Sequence, residues 1–236
     1  MIRLDKLLSN MGKGSRSELV KIIKKGGVTV NSVVAKDPSM KVDEQKDEVL
    51  FFGEKVTFKK YLYIMLNKPQ GYVTATEDNY NKTVLDLIDD PLIKKRVAPA
   101  GRLDIDTEGF VFLTDDGDLN HFITGPKCHV RKRYLVHHAN KLDKCDIEKL
   151  ETGVTLDDGY HTKEARVIPI SDDKCYMDLY EGKFHQVKRM FAAVDNKVIF
   201  LKRIIIGNLE LDESLKTGEY RELTCDEIEL IQGKEL

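Results

Sequence analysis

The sequence predicts an α+β protein in two parts: a small α+β module over 1–58, then a mixed, mainly antiparallel sheet flanked by helices over 59–236. Three observations lead there. The chain has 236 residues, 41% of them hydrophobic, enough to bury more than one core. Two stretches of helical periodicity are followed closely by short runs rich in valine and phenylalanine. Beyond a polar stretch at 53–60, brief β-rich runs alternate with helical patterns.

Taken in order, the first element is the segment RLDKLLSNMG, which places Leu4, Leu7, Leu8 and Met11 on one helical face. Ser15 and Glu18 announce a second helix. Their S-x-x-E spacing lets the hydroxyl accept from a backbone N–H while the carboxylate reaches back to the capping residue. Leu19, Ile22 and Ile23 form its apolar face, and Gly26 stands where a helix ends. Val28–Val30 and Val33–Val34 are extended, joined by a turn at Asn31 and Ser32, and a strand at 49–52 closes the module. Residues 53–60, GEKVTFKK, read as a polar linker. In the larger part, strands are expected at 62–66, 111–114, 134–137 and 175–180, and helices near 141–152 and 185–194. Lys68-Pro69-Gln70-Gly71 reads as a turn and as scaffolding, because Pro fixes φ and Gly permits a positive one, with Lys68 as a candidate for a place near RNA.

Charge is informative only locally. Charged residues make up 33% of the chain, yet the formal net charge is -2. Residues 1–36 carry eight Lys or Arg against Asp5 and Glu18 alone, an excess suited to binding a polyanion. The cysteines Cys128, Cys145, Cys175 and Cys225 form no C-x-x-C pair, so free thiols in a reducing compartment are expected rather than a zinc site or a disulfide framework. The histidines show no H-E-x-x-H spacing. No apolar run approaches the roughly 20 residues of a membrane span, and the N-terminus is too charged for a secretory signal. A cytoplasmic, membrane-free protein is expected, with a monomer as the default.

Two segments, RLDKLL and SRSELVKIIKKGGVTVN, resemble the S4 RNA-binding domain. That resemblance implies RNA contacts from Arg3, Lys6, Arg16, Lys21, Lys24 and Lys25; on composition alone the same residues read equally as a solvated helix surface. Five further blocks follow: LNKPQGYVTA, AGRLDIDTEGFVFLTDDGDL, RKRYLV, EGKFHQVKRMFAAV and RIIIGNL. Their order and wording resemble the RsuA family of pseudouridine synthases, and with the S4-like start the likeness runs almost end to end. It implies the pseudouridine synthase fold and conversion of a specific uridine in ribosomal RNA. The wording of LNKPQGYV and of GRLDIDT beside TDDG favours 16S RNA, free or within an assembling small-subunit particle, over 23S RNA.

That reaction breaks the N1–C1′ bond of uridine, turns the uracil and joins C5 to C1′. It calls for no metal and no organic cofactor, only a carboxylate beside a nucleotide drawn out of its stack. The resemblance assigns the carboxylate to Asp104, and leaves open whether it attacks C1′ or removes a sugar proton. It assigns the paired cation to Lys188, where relatives often carry Arg; Lys keeps the charge without the bidentate fork. Tyr134 is assigned to packing against the target base, and Arg102 to the RNA strand around it. Lys132, Lys183, Arg189 and Arg203 are expected at phosphates. His185 and Gln186 read as packing and hydrogen-bonding supports. Asp195 stands where relatives commonly have Gly after the AAV run.

Local sequence alone leaves other readings open. Asp104, Asp106, Asp115, Asp116 and Asp118 all suit turns or caps, and Tyr134 suits a half-buried strand position. Two other functions compete with the synthase: an S4-type binding protein without catalysis, and an N-glycosidase using Asp104 and Asp106. On an extended strand those two would lie about 6.6–7 Å apart on one face.

Overall fold

The computed structural model describes residues 1–125 and 128–233. The chain divides into two units, Met1–Lys60 and Tyr61–Leu236.

In the first unit β1 (Ile2–Arg3) runs into α1 (Leu4–Asn10), followed by α2 (Arg16–Lys24). The expected apolar faces are the buried ones: Leu4, Leu7 and Leu8 meet Leu19 and Ile23, while Met11 and Ile22 pack at the margin. The Ser15 hydroxyl accepts from the Glu18 N–H at 3.4 Å, and the Ser15 N–H donates to Glu18 Oε2 at 2.9 Å, completing the capping box. A hairpin, β2 (Val28–Val30) and β3 (Val33–Val34), turns on Asn31 and Ser32, which adopt φ of 50° and 67°. Positive φ at both central residues gives the twist that a two-residue hairpin loop needs. β4 (Lys41–Val42) pairs with β1, and β5 (Val49–Phe51) pairs with β2.

The linker expected at 53–60 begins later than its polarity suggested. The chain reverses at Phe52 and Gly53 and returns as β6 (Glu54–Lys55) along β5, which buries Val56 in the core of this unit. Both side chains of β6 are exposed, so its composition reads as linker although its backbone is paired.

The second unit opens with β7 (Tyr63–Lys68) and a single 3₁₀ turn (Val84–Leu87). α3 (Pro91–Arg96), β8 (Ala98–Pro99), β9 (Glu108–Thr114), α4 (Gly117–Thr124) and β10 (Lys132–His138) follow. Next come α5 (Lys144–Thr152), β11 (Arg166–Ser171), β12 (Lys174–Leu179), α6 (Gln186–Ala192) and β13 (Val198–Ile206). β14 (Leu209–Glu210), β15 (Tyr220–Glu222) and α7 (Cys225–Ile231) end the described chain. Among the described residues the strands form one sheet in the order β11-β12-β10-β13-β9-β7-β15, with β14 beside β13 and β8 beside β9. Every pairing is antiparallel except β13 with β9. This is the mixed, mainly antiparallel sheet that the sequence predicts.

Helices cover the sheet and leave two apolar cores. One gathers Ile64, Leu66, Val111 and Leu113 with Tyr134, Val136, Leu150, Met190 and Phe191. The other holds Met65, Phe110 and Phe112 with Leu119, Ile123 and Ile231. The alternation of β7 and β9 residues between them is the period of two that a sheet buried on both sides requires. Asp195, after α6, adopts φ of 54°, the left-handed conformation for which Gly carries no side-chain penalty.

The parallel seam is the tightest place in the sheet. Gly109 faces Arg203 there with φ of 101°, and a Cβ at Gly109 would lie 2.2 Å from the Arg203 carbonyl oxygen. The obstacle is backbone on both strands, so neither can yield without breaking the ladder. Gly109→Ala is therefore expected to destabilise the protein by about 2–5 kcal/mol. Urea denaturation followed by circular dichroism would show it as a lowered midpoint.

Candidate active site

The segment joining β8 to β9, residues 101–107, carries Asp104 and is irregular backbone held from beneath. Lys68, the last residue of β7, has no exposed surface. Its Nζ donates toward the carbonyl oxygens of Thr107 at 2.7 Å, Asp104 at 3.0 Å, Pro69 at 3.1 Å and Ile105 at 3.3 Å. Burial pushes the Lys68 ammonium down to about 8, against the pull of the Asp106, Asp104 and Glu108 charges. Two more ties fix the loop. The Thr74 hydroxyl donates to the Leu103 carbonyl at 2.9 Å and accepts from the Leu103 N–H at 3.0 Å. The Gly71 N–H donates to the Ile105 carbonyl at 2.7 Å. Lys68 thus serves as scaffolding, and what it supports is the Asp104 loop itself.

The loop ends in a turn in which the Thr107 N–H donates to the Asp104 carbonyl at 3.1 Å. Asp104 and Asp106 are therefore not spaced along an extended strand, and both carboxylates converge on one cation. Lys188 Nζ lies 3.1 Å from Asp104 Oδ2 and 2.5 Å from Asp106 Oδ1. Burial works against ionising Asp106, but the Lys188 hydrogen bond and charge outweigh it and hold the carboxyl below its usual range. Burial likewise opposes the Lys188 charge, and the hydrogen bonds to Asp106 and Asp104 overcome it, so this ammonium stays charged beyond the ordinary lysine range. His185 adds a third neighbour, with Nε2 3.7 Å from Asp104 Oδ1. The Asp104 side chain remains 22% exposed, accessible to a ligand from the side its partners leave open.

Lys188 and His185 are aimed by the turn before α6. The buried Glu181 carboxylate accepts from Gln186 Nε2 and Tyr160 Oη, both at 2.7 Å, and from the Lys163 N–H at 3.0 Å. Gln186 Oε1 in turn accepts from the Lys183 N–H at 2.8 Å. His185 enters the helix at φ of 50°, a left-handed conformation that the surrounding bonds hold in place. The expectation that Gln186 is a hydrogen-bonding support describes this network.

The other expected residues fall into three groups. Tyr134 is 8% exposed and shares a core with Leu103 and Val187, the residues immediately before Asp104 and Lys188. Arg102 and Lys183 are exposed on this unit; Arg102 makes no ion pair among the described residues, and Lys183 Nζ lies over the Tyr160 ring, 4.3 Å from its centroid. Arg203, Lys132 and Arg189 differ from surface phosphate contacts. Arg203 is 2% exposed, with Nε donating to the Phe110 carbonyl at 2.8 Å and one terminal nitrogen buried without a partner. Lys132 Nζ donates to the Val130 carbonyl at 3.1 Å, and burial, then the Arg203 charge, push it down to about 8. The Arg189 guanidinium is occupied by Asp157 and Asp158. Asp115 and Asp116 have structural partners: Asp115 Oδ1 accepts from the Leu62 N–H, and Asp116 caps α4.

In the first unit Lys6, Lys21, Lys24 and Lys25 are exposed, while Arg3 and Arg16 are organised by a residue not singled out in the sequence. Asp5 is 3% exposed. It accepts from Arg3 Nε at 3.1 Å and Arg3 Nη2 at 2.9 Å, and from Arg16 Nη2 at 3.3 Å. The Arg3 hydrogen bond outweighs burial, and with Arg16 it holds the Asp5 carboxyl below its usual range. Both guanidinia remain about half exposed, fixed at the base and open outward.

Among the described residues no group of three or more His, Cys, Asp or Glu side chains is placed to hold a metal ion, and no helix is long and apolar enough to cross a membrane. Residues 62–193 match the RNA pseudouridylate synthase family and residues 2–49 match the S4 domain. The chain belongs to the RNA pseudouridine synthase family and is an isomerase with an N-terminal S4 RNA-binding domain. It is 46% identical to an uncharacterised RNA pseudouridine synthase of Bacillus subtilis, over 98% of each chain. It is 42% identical to ribosomal small subunit pseudouridine synthase A of Haemophilus influenzae, over 97% of this chain and 98% of the relative. A crystal structure of a pseudouridylate synthase superposes with a TM-score of 0.70 at 40% identity, covering 98% of this chain and all of the other.

Two expectations follow from this geometry. The rate of uridine isomerisation should fall as pH rises through about 8, where the Lys68 ammonium loses its proton and with it a donor to the Asp104 loop. A pH–rate profile of Lys132→Met should keep that alkaline limb if Lys68 is its source, since both lysines titrate near it. Asp5→Asn should weaken RNA binding several-fold although it removes a negative charge, because Arg3 and Arg16 lose a charged anchor. Fluorescence anisotropy with labelled RNA checks the sign; tighter binding would mean that net charge, not preorganisation, dominates.

Proposed function

We propose that this enzyme converts one specific uridine of 16S ribosomal RNA to pseudouridine, with Asp104 as the acting carboxylate. The observation that carries the reading is the Asp104 carboxyl group itself, held 3.1 Å from the Lys188 ammonium and fixed by the Lys68 clamp on its backbone. Similarity to small-subunit enzymes over nearly the whole chain supports the choice of RNA.

The S4 domain and exposed cations such as Arg102 and Lys183 hold a folded RNA segment, and the uridine turns out of its stack toward Asp104. Tyr134, packed beside Leu103, gives the uracil an apolar wall. Asp104 then either attacks C1′ or removes a sugar proton; both steps use the same carboxylate, and both break the N1–C1′ bond. The freed uracil rotates and C5 bonds to C1′ as the Asp104–C1′ bond breaks or, on the other route, as the sugar proton is returned; the C5 proton then leaves to solvent and N1 takes up a proton. Lys188 holds the Asp104 carboxylate in position before the step, and Asp106 keeps Lys188 in place. The substrate is RNA in the cytoplasm, and the chain acts as a monomer.

Asp104→Asn should lower isomerisation by about 10⁴-fold or more while leaving RNA affinity nearly unchanged. Carbodiimide treatment followed by primer extension on both ribosomal RNAs, from wild-type and Asp104→Asn cells, reads activity and target together. Loss of one 16S stop supports the whole reading. Loss of a 23S stop instead corrects the substrate, and no change at any uridine removes Asp104 from the chemistry.

A further inference from the structure

Phe184 stands immediately before His185 in the turn that leads into α6, and its side chain is 68% exposed. The exposed ring lies beside the polar site, where its face is available to a flat aromatic ligand. The ring is held, not loose. The His185 imidazole stacks on one face, with centroids 3.8 Å apart and planes 19° from parallel. His185 keeps that position through its left-handed backbone and the Glu181–Gln186–Lys183 bonds that brace the turn. The Phe184 carbonyl is tied as well, accepting from Arg189 Nη1 at 3.3 Å. On its far edge the His185 ring reaches Asp104, with Nε2 3.7 Å from Oδ1.

We propose that Phe184, backed by His185, is a stacking platform for the base of a nucleotide adjacent to the uridine on which Asp104 acts. The inference rests on the reading of Asp104 given above. When a uridine leaves the stack, its neighbour loses a stacking partner, and a π surface held next to the site replaces it. Phe184 offers that surface on the face His185 does not cover. Every base has a π face, so the platform tolerates sequence while favouring the larger overlap of a purine. The exposed ammonium of Lys183, next in the chain, is the natural partner for the phosphate of the same nucleotide. A structural role for Phe184 is disfavoured by its exposure, since removing the ring takes no contact from either core.

The test is a cycle that combines protein and RNA changes, read by tritium release from RNA labelled at C5 of uridine. Wild type, Phe184→Leu and Phe184→Tyr are compared on a synthetic RNA holding the mapped target uridine, with either a normal or an abasic flanking nucleotide on each side in turn. On normal RNA, Phe184→Leu should lower kcat/KM by about 5- to 150-fold, the range spanned by loss of one base–aromatic stack, and Phe184→Tyr should restore most of it. With the abasic site on the stacked side, wild type should fall to the Phe184→Leu level and Phe184→Leu should lose nothing further. The thermal midpoint of Phe184→Leu should match wild type. Equal kcat/KM for wild type and Phe184→Leu overturns the platform, as do losses from the variant and the abasic site that multiply on both sides. Wild-type protein that releases no tritium from any uridine refutes the underlying functional reading instead.

Discussion

The Lys68 ammonium lies out of water among four backbone carbonyl oxygens, and three of these belong to the loop that carries Asp104. Taking an ammonium out of water is unfavourable by several kcal/mol unless its protons find acceptors, and a loop carbonyl turned inward is nearly as unfavourable without a donor. Each needs the other, so the fold does not complete the end of β7 without completing the loop. Position is transmitted from the sheet to the side chain in this way. β7 pairs with β9 along its whole length, Lys68 lies opposite Gly109, and Gly109 lets β9 approach β13 closely enough to close the parallel seam. Asp104 is therefore fixed by three strands although it belongs to none of them.

The second half of the site is assembled by different means. α6 has seven residues and begins at a histidine in a left-handed conformation without a side-chain cap, a weak start for a helix. The buried Glu181 network supplies the order that propensity does not. Burial raises the free energy of that carboxylate, and its bonds to Tyr160, Lys163 and Gln186 more than offset it, so it remains ionised. The outcome is a turn rigid enough to aim Lys188 at two carboxylates at once. Asp106 is the more exposed of the two, at 62%, and makes the shorter contact. It holds the lysine from the solvent side and stops it from collapsing fully onto Asp104, whose oxygens must stay open to a ligand.

The sequence made much of this legible, and what it hid has physical reasons. Helix faces, the Ser15–Glu18 capping box and the Asn31–Ser32 turn are local features, governed by residues a few positions apart, and they stand where the sequence placed them. β7, β9, β10 and β12 carried enough β-branched and aromatic residues to be seen, as did α5 and α6. β13, the longest strand at nine residues, was missed because Lys202 and Arg203 interrupt its apolar run. Arg203 is a buried cation, which no alternation rule anticipates. The pairing of Lys188 with Asp104 came from resemblance and spans 84 positions of sequence. Lys68 and Asp5 were hidden for the same reason as Arg203. A charged residue is read as surface unless a partner is known, and their partners are backbone carbonyls in one case and the guanidinia of Arg3 and Arg16 in the other.

The distribution of charge separates holding RNA from changing it. Asp104, Asp106 and Lys188 together carry one net negative charge, so the site itself repels a phosphate chain. The buried cations beneath it, Lys68 and Arg203, soften that repulsion but cannot reach a phosphate. In the proposed reading, attraction comes from outside the triad, where the S4 domain and the neighbourhood of Arg102 and Lys183 expose cations. These act at long range, are screened by salt and tolerate sequence. The proposed acting carboxylate depends on none of them for its geometry, which Lys68 and Lys188 set from within the fold. On this reading affinity and chemistry can vary independently, and the proposed Phe184 platform would act between them, where neither charge nor catalysis decides which nucleotide is presented.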